Sequence, residues 1–194
     1  SAASDVYKRH IASSVYAVTG GRDNLADGNR STAFGSAAWT RGIRGIIALS
    51  ACQSPIGGQG ASQSSILILA KQTTDATPSV LTSNGAAAGT DNQVILPNNS
   101  AYYFRGEVVS GVTGGGNTKG WFIEGVIKRG ANAASTALVG SPTVTSNYAD
   151  AGASTWTIAV SADTTNGGLA ITFTGQAGTT IRTVAQIRTT EMTY

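Results

Sequence analysis

Residues 92–129 read NQVILPNNSAYYFRGEVVSGVTGGGNTKGWFIEGVIKR and predict the central hairpin of the fold. Two runs rich in aromatic and β-branched residues, 101–109 and 121–129, flank a glycine-rich tip at 111–120. This pattern is typical of two long antiparallel strands joined by a turn. Because successive side chains of a strand point to opposite faces, each arm has one mainly apolar side and one side that carries charges.

Alternation places six charged residues on one face of the predicted sheet. They come from the two hairpin arms and from a long strand predicted at 181–193. We expect the arginines of that last strand to meet the glutamates of the hairpin. Such pairs contribute about 0–1 kcal/mol each if solvated, but they would specify the register of an interface if copies of the chain bury them. The predicted interface charge network comprises Arg105, Glu107, Glu124, Lys128, Arg182 and Arg188.

The composition of the whole chain favours an all-β fold. Among 194 residues only 12% are charged, and 25 are glycine. Such a chain is poor in helix formers and suited to short strands joined by turns. Turn signals recur about every dozen residues, which predicts an antiparallel, jelly-roll-like β-sandwich with Trp156 in its core. The predicted strands are 65–71, 79–82, 93–96, 101–109, 121–129, 136–139, 143–145, 155–161, 169–174 and 181–193.

The first third of the chain differs from the rest, and we predict two regions, 1–62 and 63–194. Residues 1–19 are expected to form an irregular or short helical lead-in, with a strand from Val15 as the alternative. Residues 20–51 are rich in glycine and small side chains and predict an irregular, shaft-like segment. Its few large apolar residues cannot bury a core in a monomer, so it must lie on the β domain or wind with other chains.

Several classes of function are not expected from this sequence. The net charge is +3 and the basic residues form no run, so nucleic-acid binding is not expected. No apolar run is long enough to span a bilayer as a helix, so membrane insertion is not expected. His10 and Cys52 are the single histidine and the single cysteine, too few for a catalytic triad, a zinc site or an intrachain disulfide.

We likewise expect no cofactor, no resident metal and no enzymatic activity. Asp23 and Asp27 could ligate calcium, but the run DNLADG lacks the ligand spacing of an EF-hand loop, and a turn is the expected role. Glu107 and Glu124 could approach the spacing of a glycosidase pair. The arginines predicted on the same face would keep both carboxyl groups ionised, which removes the general acid.

The glycine-rich tip is the first candidate for receptor contact, because loops held by a rigid scaffold often carry recognition. Aromatic side chains near it could stack on sugar rings, although aromatic residues on strands are more often part of the core. The predicted receptor-binding residues are Tyr102, Tyr103, Asn117, Lys119, Trp121 and Tyr148.

Residues 80–194 resemble a domain at the C-terminal end of phage tail fibres, tail spikes and related prophage proteins. The resemblance is carried by VLTSNGAAAGTDNQVILPNNSAYYFRGEVV, GWFIEGVIKRG and SADTTNGGLAITFTGQAGTTIRTVAQIRTTEMTY. It implies a β-sandwich that assembles as a homotrimer at the fibre tip of the virion, behind an upstream tail fibre or baseplate protein. It also implies attachment to a bacterial surface glycan or outer-membrane component.

A second resemblance concerns the run STAFGSAAWTRG at 31–42. It is similar to the head-type repeats of trimeric adhesins and phage fibres, in which each turn of chain packs Ala, Phe and Gly against two other subunits. Two alternatives to a receptor-binding tip remain. The chain could be the terminal domain of a polysaccharide depolymerase tail spike, or a structural trimerisation or capping domain.

Overall fold

A computed structural model describes residues 11–51 and 54–194, and nearly all of its regular structure is β-strand. The all-β prediction is confirmed for these residues. The strands are β1 Ile11–Ala12, β2 Val18–Arg22, β3 Leu25–Ala26, β4 Thr32–Ser36, β5 Ile47–Ser50, β6 Ser62–Thr73, β7 Ser79–Val80, β8 Val94–Ile95, β9 Ser100–Val112, β10 Thr118–Arg129, β11 Ala137–Ala149, β12 Thr157–Asp163, β13 Gly168–Thr174 and β14 Ile181–Thr193. Two 3₁₀ helices, Ala133–Ser135 and Ala151–Ala153, flank β11.

The predicted hairpin is formed by β9 and β10, which pair in antiparallel register with Trp121 opposite Val108. Burial along β9 alternates at almost every residue, as the sequence pattern predicts. The tip is shorter than predicted, because the strands continue to Val112 and Thr118. At the tip, Gly114 and Gly115 adopt φ values of +85° and +87°, a left-handed conformation that glycine tolerates best.

The hairpin belongs to a large sheet whose strand order is β11-β10-β9-β14-β6-β5-β4-β2 among the described residues. Strand β14 has the predicted bounds and lies between β9 and β6. The two short strands predicted at 136–139 and 143–145 are one edge strand, β11. The register shifts at two places along β11, and Pro142 lies at one of them. Proline is tolerated there because an edge strand need not donate every backbone N–H.

A small sheet covers one face of the large sheet, as expected for a β-sandwich. Strands β12 and β13 form a hairpin, and β7 and β8 both pair with β13. The buried faces of both sheets share one apolar cluster, with the predicted core residue Trp156 fully buried. The rings of Trp121 and Trp156 each meet Phe173 edge-on, at 6.2 Å between centroids. Each large side chain buried here stabilises the fold by about 1.5–3 kcal/mol.

Residues 11–51 form a small parallel β-roll rather than the irregular segment expected from composition. Each short strand pairs in parallel with one from the following turn of chain, so that Ile11 lies opposite Leu25 and Val18 opposite Thr32. The roll has an alanine interior, made by Ala26, Ala33, Ala38 and Ala48 with Ala17 against them. Its strands have two to five residues, too few for alternation to be recognised in the sequence.

Two glycines allow the turns of the roll to stack closely. A Cβ atom at Gly21 would lie 2.0 Å from the carbonyl oxygen of Gly35, and one at Gly35 would lie 1.9 Å from that of Ser50. Both glycines also have positive φ angles, +113° and +101°. Larger residues at these positions would separate adjacent turns. The roll joins the large sheet directly, because β5 pairs with β6.

The N-terminal predictions are only partly covered by the described residues. Between residues 11 and 19 the chain forms β1 and the beginning of β2, which excludes a helix over that stretch. The rest of the predicted lead-in, with His10, lies outside the described residues, as does Cys52.

A buried ion pair between Arg41 and Glu191 fastens the roll to the sandwich. The two residues are 150 positions apart, and their side chains are only 6% and 1% exposed. Arg41 also donates to the Gly60 carbonyl at 2.6 Å. Glu191 accepts from Gln63 Nε2 at 2.9 Å and from Thr189 Oγ1 at 2.6 Å. Every charge in this junction therefore has a close partner.

The guanidinium of Arg41 also lies against Tyr102, 5.5 Å from the ring centroid. Burial alone lowers the pKa of Arg41, but neighbouring Tyr102 and Glu191 outweigh it and raise that pKa. Burial, and then the charge of Glu191, raise the pKa of Tyr102 well above its ordinary value. The arginine is therefore charged and the phenol neutral at physiological pH.

We expect Arg41→Met to lower the free energy of unfolding by about 3–5 kcal/mol, because it leaves the carboxylate of Glu191 buried without a counter-charge. The double variant Arg41→Met/Glu191→Met should lose less than the sum of the two single losses. Urea denaturation measures both. The control is Arg22→Met, whose ion pair with Asp23 is exposed, with an expected loss below about 1 kcal/mol. Equal losses at positions 41 and 22 would contradict the role of this ion pair.

Candidate functional site

Three of the six predicted receptor-binding residues are buried, so those predictions are wrong. Tyr102, Trp121 and Lys119 are 1%, 7% and 9% exposed. Tyr102 points from β9 into the junction with the roll, where it contacts Arg41. Trp121 points from β10 into the sandwich core, where it meets Phe173. Strand alternation at these positions selects the inner face, and it outweighs the general enrichment of aromatic residues at binding sites.

Lys119 has a structural role that its position near the tip does not suggest. Its Nζ donates to the carbonyl oxygens of Ser154 at 3.1 Å and Trp156 at 2.7 Å. The same ammonium lies 5.3 Å from the ring centroid of Trp121. Lys119 thus ties the end of the hairpin to the segment that precedes β12, and it satisfies the buried carbonyl of Trp156.

We expect Lys119→Met to reduce the free energy of unfolding by about 1–3 kcal/mol, because the buried Trp156 carbonyl and the part-buried Ser154 carbonyl lose their donor. Lys128→Met is the matched control, since Lys128 is an exposed lysine of the same strand; its change should stay within about 0.5 kcal/mol. Thermal unfolding followed by circular dichroism provides the comparison. An unchanged melting temperature for the position-119 variant would restore Lys119 as a candidate for receptor contact.

The other three candidates are exposed, but they do not form one site. The hydroxyl of Tyr103 donates to Glu124 at 2.8 Å on the outer face of the large sheet. This hydrogen bond raises the pKa of the Tyr103 phenol. Asn117 lies at the tip with its amide against Gly152, where an added Cβ would come within 2.2 Å of it. Tyr148, near the end of β11, is 79% exposed.

A surface groove of about 270 Å³ lies beside Tyr148, where β11 departs from regular pairing. Gly120 pairs with Tyr148 and Phe122 pairs with Thr145, so β11 has one extra residue between the two pairs. Ser146 Oγ donates to the Gly120 carbonyl at 3.0 Å within this bulge. Bulges redirect side chains at sheet edges and next to functional sites. The groove is lined by Glu107, Val108, Gly120, Trp121, Phe122, Thr145, Asn147 and Tyr148.

The six residues of the predicted charge network share the outer face of the large sheet, but the expected ion pairs are not formed. Among the described residues, the ion pairs are Arg22–Asp23 and Arg41–Glu191. The arginines of β14 instead donate to glutamines: Arg182 Nε to Gln72 at 3.0 Å and Arg188 Nη2 to Gln186 at 3.1 Å. The register explains this difference.

Arg188 lies directly opposite Arg105, and Gln186 lies opposite Glu107. Like charges placed opposite each other destabilise a sheet, and the hairpin glutamate next to Arg105, Glu124, accepts from Tyr103 instead. The arginine pair Arg105–Arg188 therefore forms no ion pair with an acidic side chain in the described part of the chain.

The outer face also carries an apolar surface that we call the roll face. It comprises outward-facing side chains of β2, β4, β5 and β6. Leu49 lies at its centre, between two open grooves of about 430 and 280 Å³. The first groove ends at the arginine pair, and the second lies against Phe34. The roll face consists of Val18, Phe34, Ile47, Leu49, Ile66 and Ile68.

The two glutamates considered for glycoside cleavage lie on this open face. Glu107 is opposite Phe122 and Glu124 is opposite Arg105, so the two acids are diagonal neighbours across β9 and β10. Diagonal positions are about 7–8 Å apart, a spacing compatible with an inverting pair. Glu124, however, accepts from Tyr103, and only Glu107 lines the groove beside Tyr148. This geometry does not place the two acids on opposite sides of one cleft.

Asp27 has the turn role expected for it. Its carboxylate accepts from Trp39 Nε1 at 2.8 Å, Thr40 Oγ1 at 2.9 Å and the Gly42 amide at 2.7 Å. These contacts organise the turns of the roll. Within residues 11–51 and 54–194, no cluster of three or more His, Cys, Asp or Glu side chains is suited to hold a metal ion.

No protein-family model matches this chain, and a search of curated proteins finds no match. The resemblance to tail fibre and tail spike domains therefore stays a prediction that rests on the motifs quoted above. In the described part of the chain, no helix is long and apolar enough to cross a membrane.

Proposed function

We propose that this chain is the homotrimeric, non-enzymatic tip of a virion tail fibre, an adhesin that attaches the particle to a bacterial surface. The sequence resemblance supplies the class of protein. The observation that carries assembly is the roll face. The proposal includes the finer fold prediction, in which each chain is a jelly-roll-like sandwich and two further copies of the chain complete the assembly.

The roll face supports assembly because it exposes large aliphatic and aromatic side chains side by side. Val18, Thr32, Ile47 and Ile66 lie on one rung of the sheet, and Phe34 and Leu49 lie on the next. Contiguous exposed apolar patches of this kind mark interaction surfaces in soluble proteins. The grooves on either side of Leu49 can receive side chains of a neighbouring copy, as in a head-to-tail interface that closes into a ring.

The unpaired arginines support the same interface. Arg105 and Arg188 lie where the roll face meets the hairpin, and the acids of the predicted network, Glu107 and Glu124, lie on the same outer face. A sister copy can supply the carboxylate that these arginines lack in the single chain. Such a contact contributes to specificity and register more than to affinity.

Trimeric assembly gives a physical mechanism for attachment. Three identical tips present three weak sites at once, and linking sites raises the joint affinity by about 10²–10⁴ without any new contact. The compact C-terminal region would also set the register of the thinner shaft that precedes it.

We expect Leu49→Asp to weaken adsorption of the fluorescently labelled protein to receptor-bearing bacteria by about 100-fold, because a charge in the roll face separates the trimer and removes avidity. Val139→Asp is the matched control, since Val139 and Leu49 are 50% and 44% exposed and Val139 lies on the far edge strand. A panel of bacterial strains, followed by flow cytometry, measures adsorption. Adsorption of the wild type to no strain, or equal adsorption of Leu49→Asp, would contradict the proposal.

The alternative of a depolymerase rests on one observation, the diagonal pair Glu107 and Glu124. Capsule or lipopolysaccharide incubated with the protein should release no new reducing ends if the tip only binds. Release that is abolished by Glu107→Gln or Glu124→Gln would show the enzyme instead. A capping domain without a receptor would form the trimer and adsorb to no strain.

A further inference from the structure

We infer that the groove between Tyr148 and Phe122 binds a single uncharged pyranose ring of a surface glycan. This inference deepens the attachment function proposed above and rests on it. It names the class of ligand and a set of contacts that the sequence did not bring together. The groove lies along β10 and β11, at the opposite margin of the large sheet from the roll face.

The aromatic walls are the first support. The side chain of Tyr148 is largely exposed to solvent, and Phe122, on the neighbouring strand, is also exposed. Neither ring gains the full stabilisation that burial gives to most aromatic side chains. A pyranose ring has two faces lined with C–H bonds, and either face can pack on an aromatic ring. The hydroxyl groups then point to the rim, where the few polar groups of this mainly apolar groove lie.

The glycine floor is the second support. Gly120 has no positive φ that would require glycine. A Cβ added there would make ordinary contacts, 3.8 Å to the Val108 carbonyl oxygen and 3.9 Å to Tyr148 Cβ. The backbone therefore accepts a larger residue at position 120. What glycine preserves is open space between Tyr148 and Phe122.

The polar rim is the third support. The side chains of Glu107, Thr145 and Asn147 line the groove, and none of them makes a hydrogen bond or an ion pair within the described part of the chain. A carboxylate accepts from two adjacent hydroxyl groups, and an amide both donates and accepts. Vicinal hydroxyls of a sugar match this set, whereas a second carboxylate, as in a uronic or sialic acid, would be repelled by Glu107.

The size of the groove sets the length of the ligand. A volume of about 270 Å³ lies just below the usual range for drug-sized ligand sites. One ring fits between the two aromatic side chains, and further sugars of the chain would extend into solvent. Binding by one copy is therefore weak, and avidity among three copies makes it useful.

The test uses a glycan array of neutral, amino and acidic oligosaccharides, followed by ¹H saturation-transfer NMR with the methyl glycoside of the best-bound sugar. We expect binding to neutral sugars, with loss of about tenfold or more in Tyr148→Ala and loss of binding in Gly120→Leu, which fills the groove. Tyr194→Ala is the matched control, because Tyr194 is 72% exposed against 79% for Tyr148 and does not line the groove. Thermal unfolding verifies that each variant is folded.

The outcomes separate this inference from the proposed function. Three results would contradict sugar binding in the groove. They are that the protein binds no glycan on the array, that it prefers acidic sugars, or that Tyr148→Ala binds as well as the wild type. If wild-type protein and Tyr148→Ala adsorb equally to bacteria, attachment stands and the groove is not its site. If wild-type protein binds the array but adsorbs to no strain, the groove stands and the proposed attachment function fails.

Discussion

The fold depends on the buried contact between Arg41 and Glu191. It joins the N-terminal β-roll to the last strand of the sandwich. Both charges are removed from water. Replacing only one of the two residues would therefore leave the other charge buried without a partner, which is strongly destabilising. Gln63 reinforces the junction, since its side-chain amide contacts both the backbone of Trp39 and the carboxylate of Glu191. Together with the pairing of β5 to β6, this junction lets the roll and the sandwich present one continuous outer sheet face.

That continuity gives the outer face two different ends. Near the roll it is apolar, with Leu49 between two grooves and an unpaired arginine couple beside it. Near the edge strand β11 it is aromatic with a few polar side chains, and it has a bulge and a glycine at position 120. We propose that the first end serves assembly and the second end recognition. The separation matters because a surface covered by sister copies cannot also contact a receptor.

The sandwich could be predicted from sequence to a large extent, because its strands are long enough for alternation to be unambiguous. The predicted bounds of strand β14 match the structure, and the ranges predicted for the two hairpin arms are each a few residues shorter than β9 and β10. The roll could not be predicted, since its repeat is expressed in hydrogen-bond register and in alanine packing rather than in a pattern of large apolar residues. The buried ion pair was equally invisible, because nothing local in the sequence relates residues 150 positions apart.

The candidate site was predicted less well than the fold. Tyr148 was identified, but Phe122, Gly120 and Asn147 come together only through the bulge in β11, which no sequence signal marks. Lys119 was misassigned because a lysine near a glycine-rich tip is usually solvated, whereas here two carbonyl oxygens hold it inside. For Tyr102 and Trp121, strand alternation is a better guide to burial than aromatic character, because both side chains lie on the inner face of the hairpin.

The mass of the native protein in dilute buffer tests the central claim, that sister copies cover the roll face. The chain has a mass of 19.6 kDa. Sedimentation equilibrium should show a single species of three times that mass, stable on dilution. A monodisperse particle of one chain mass that persists at high protein concentration would contradict the account.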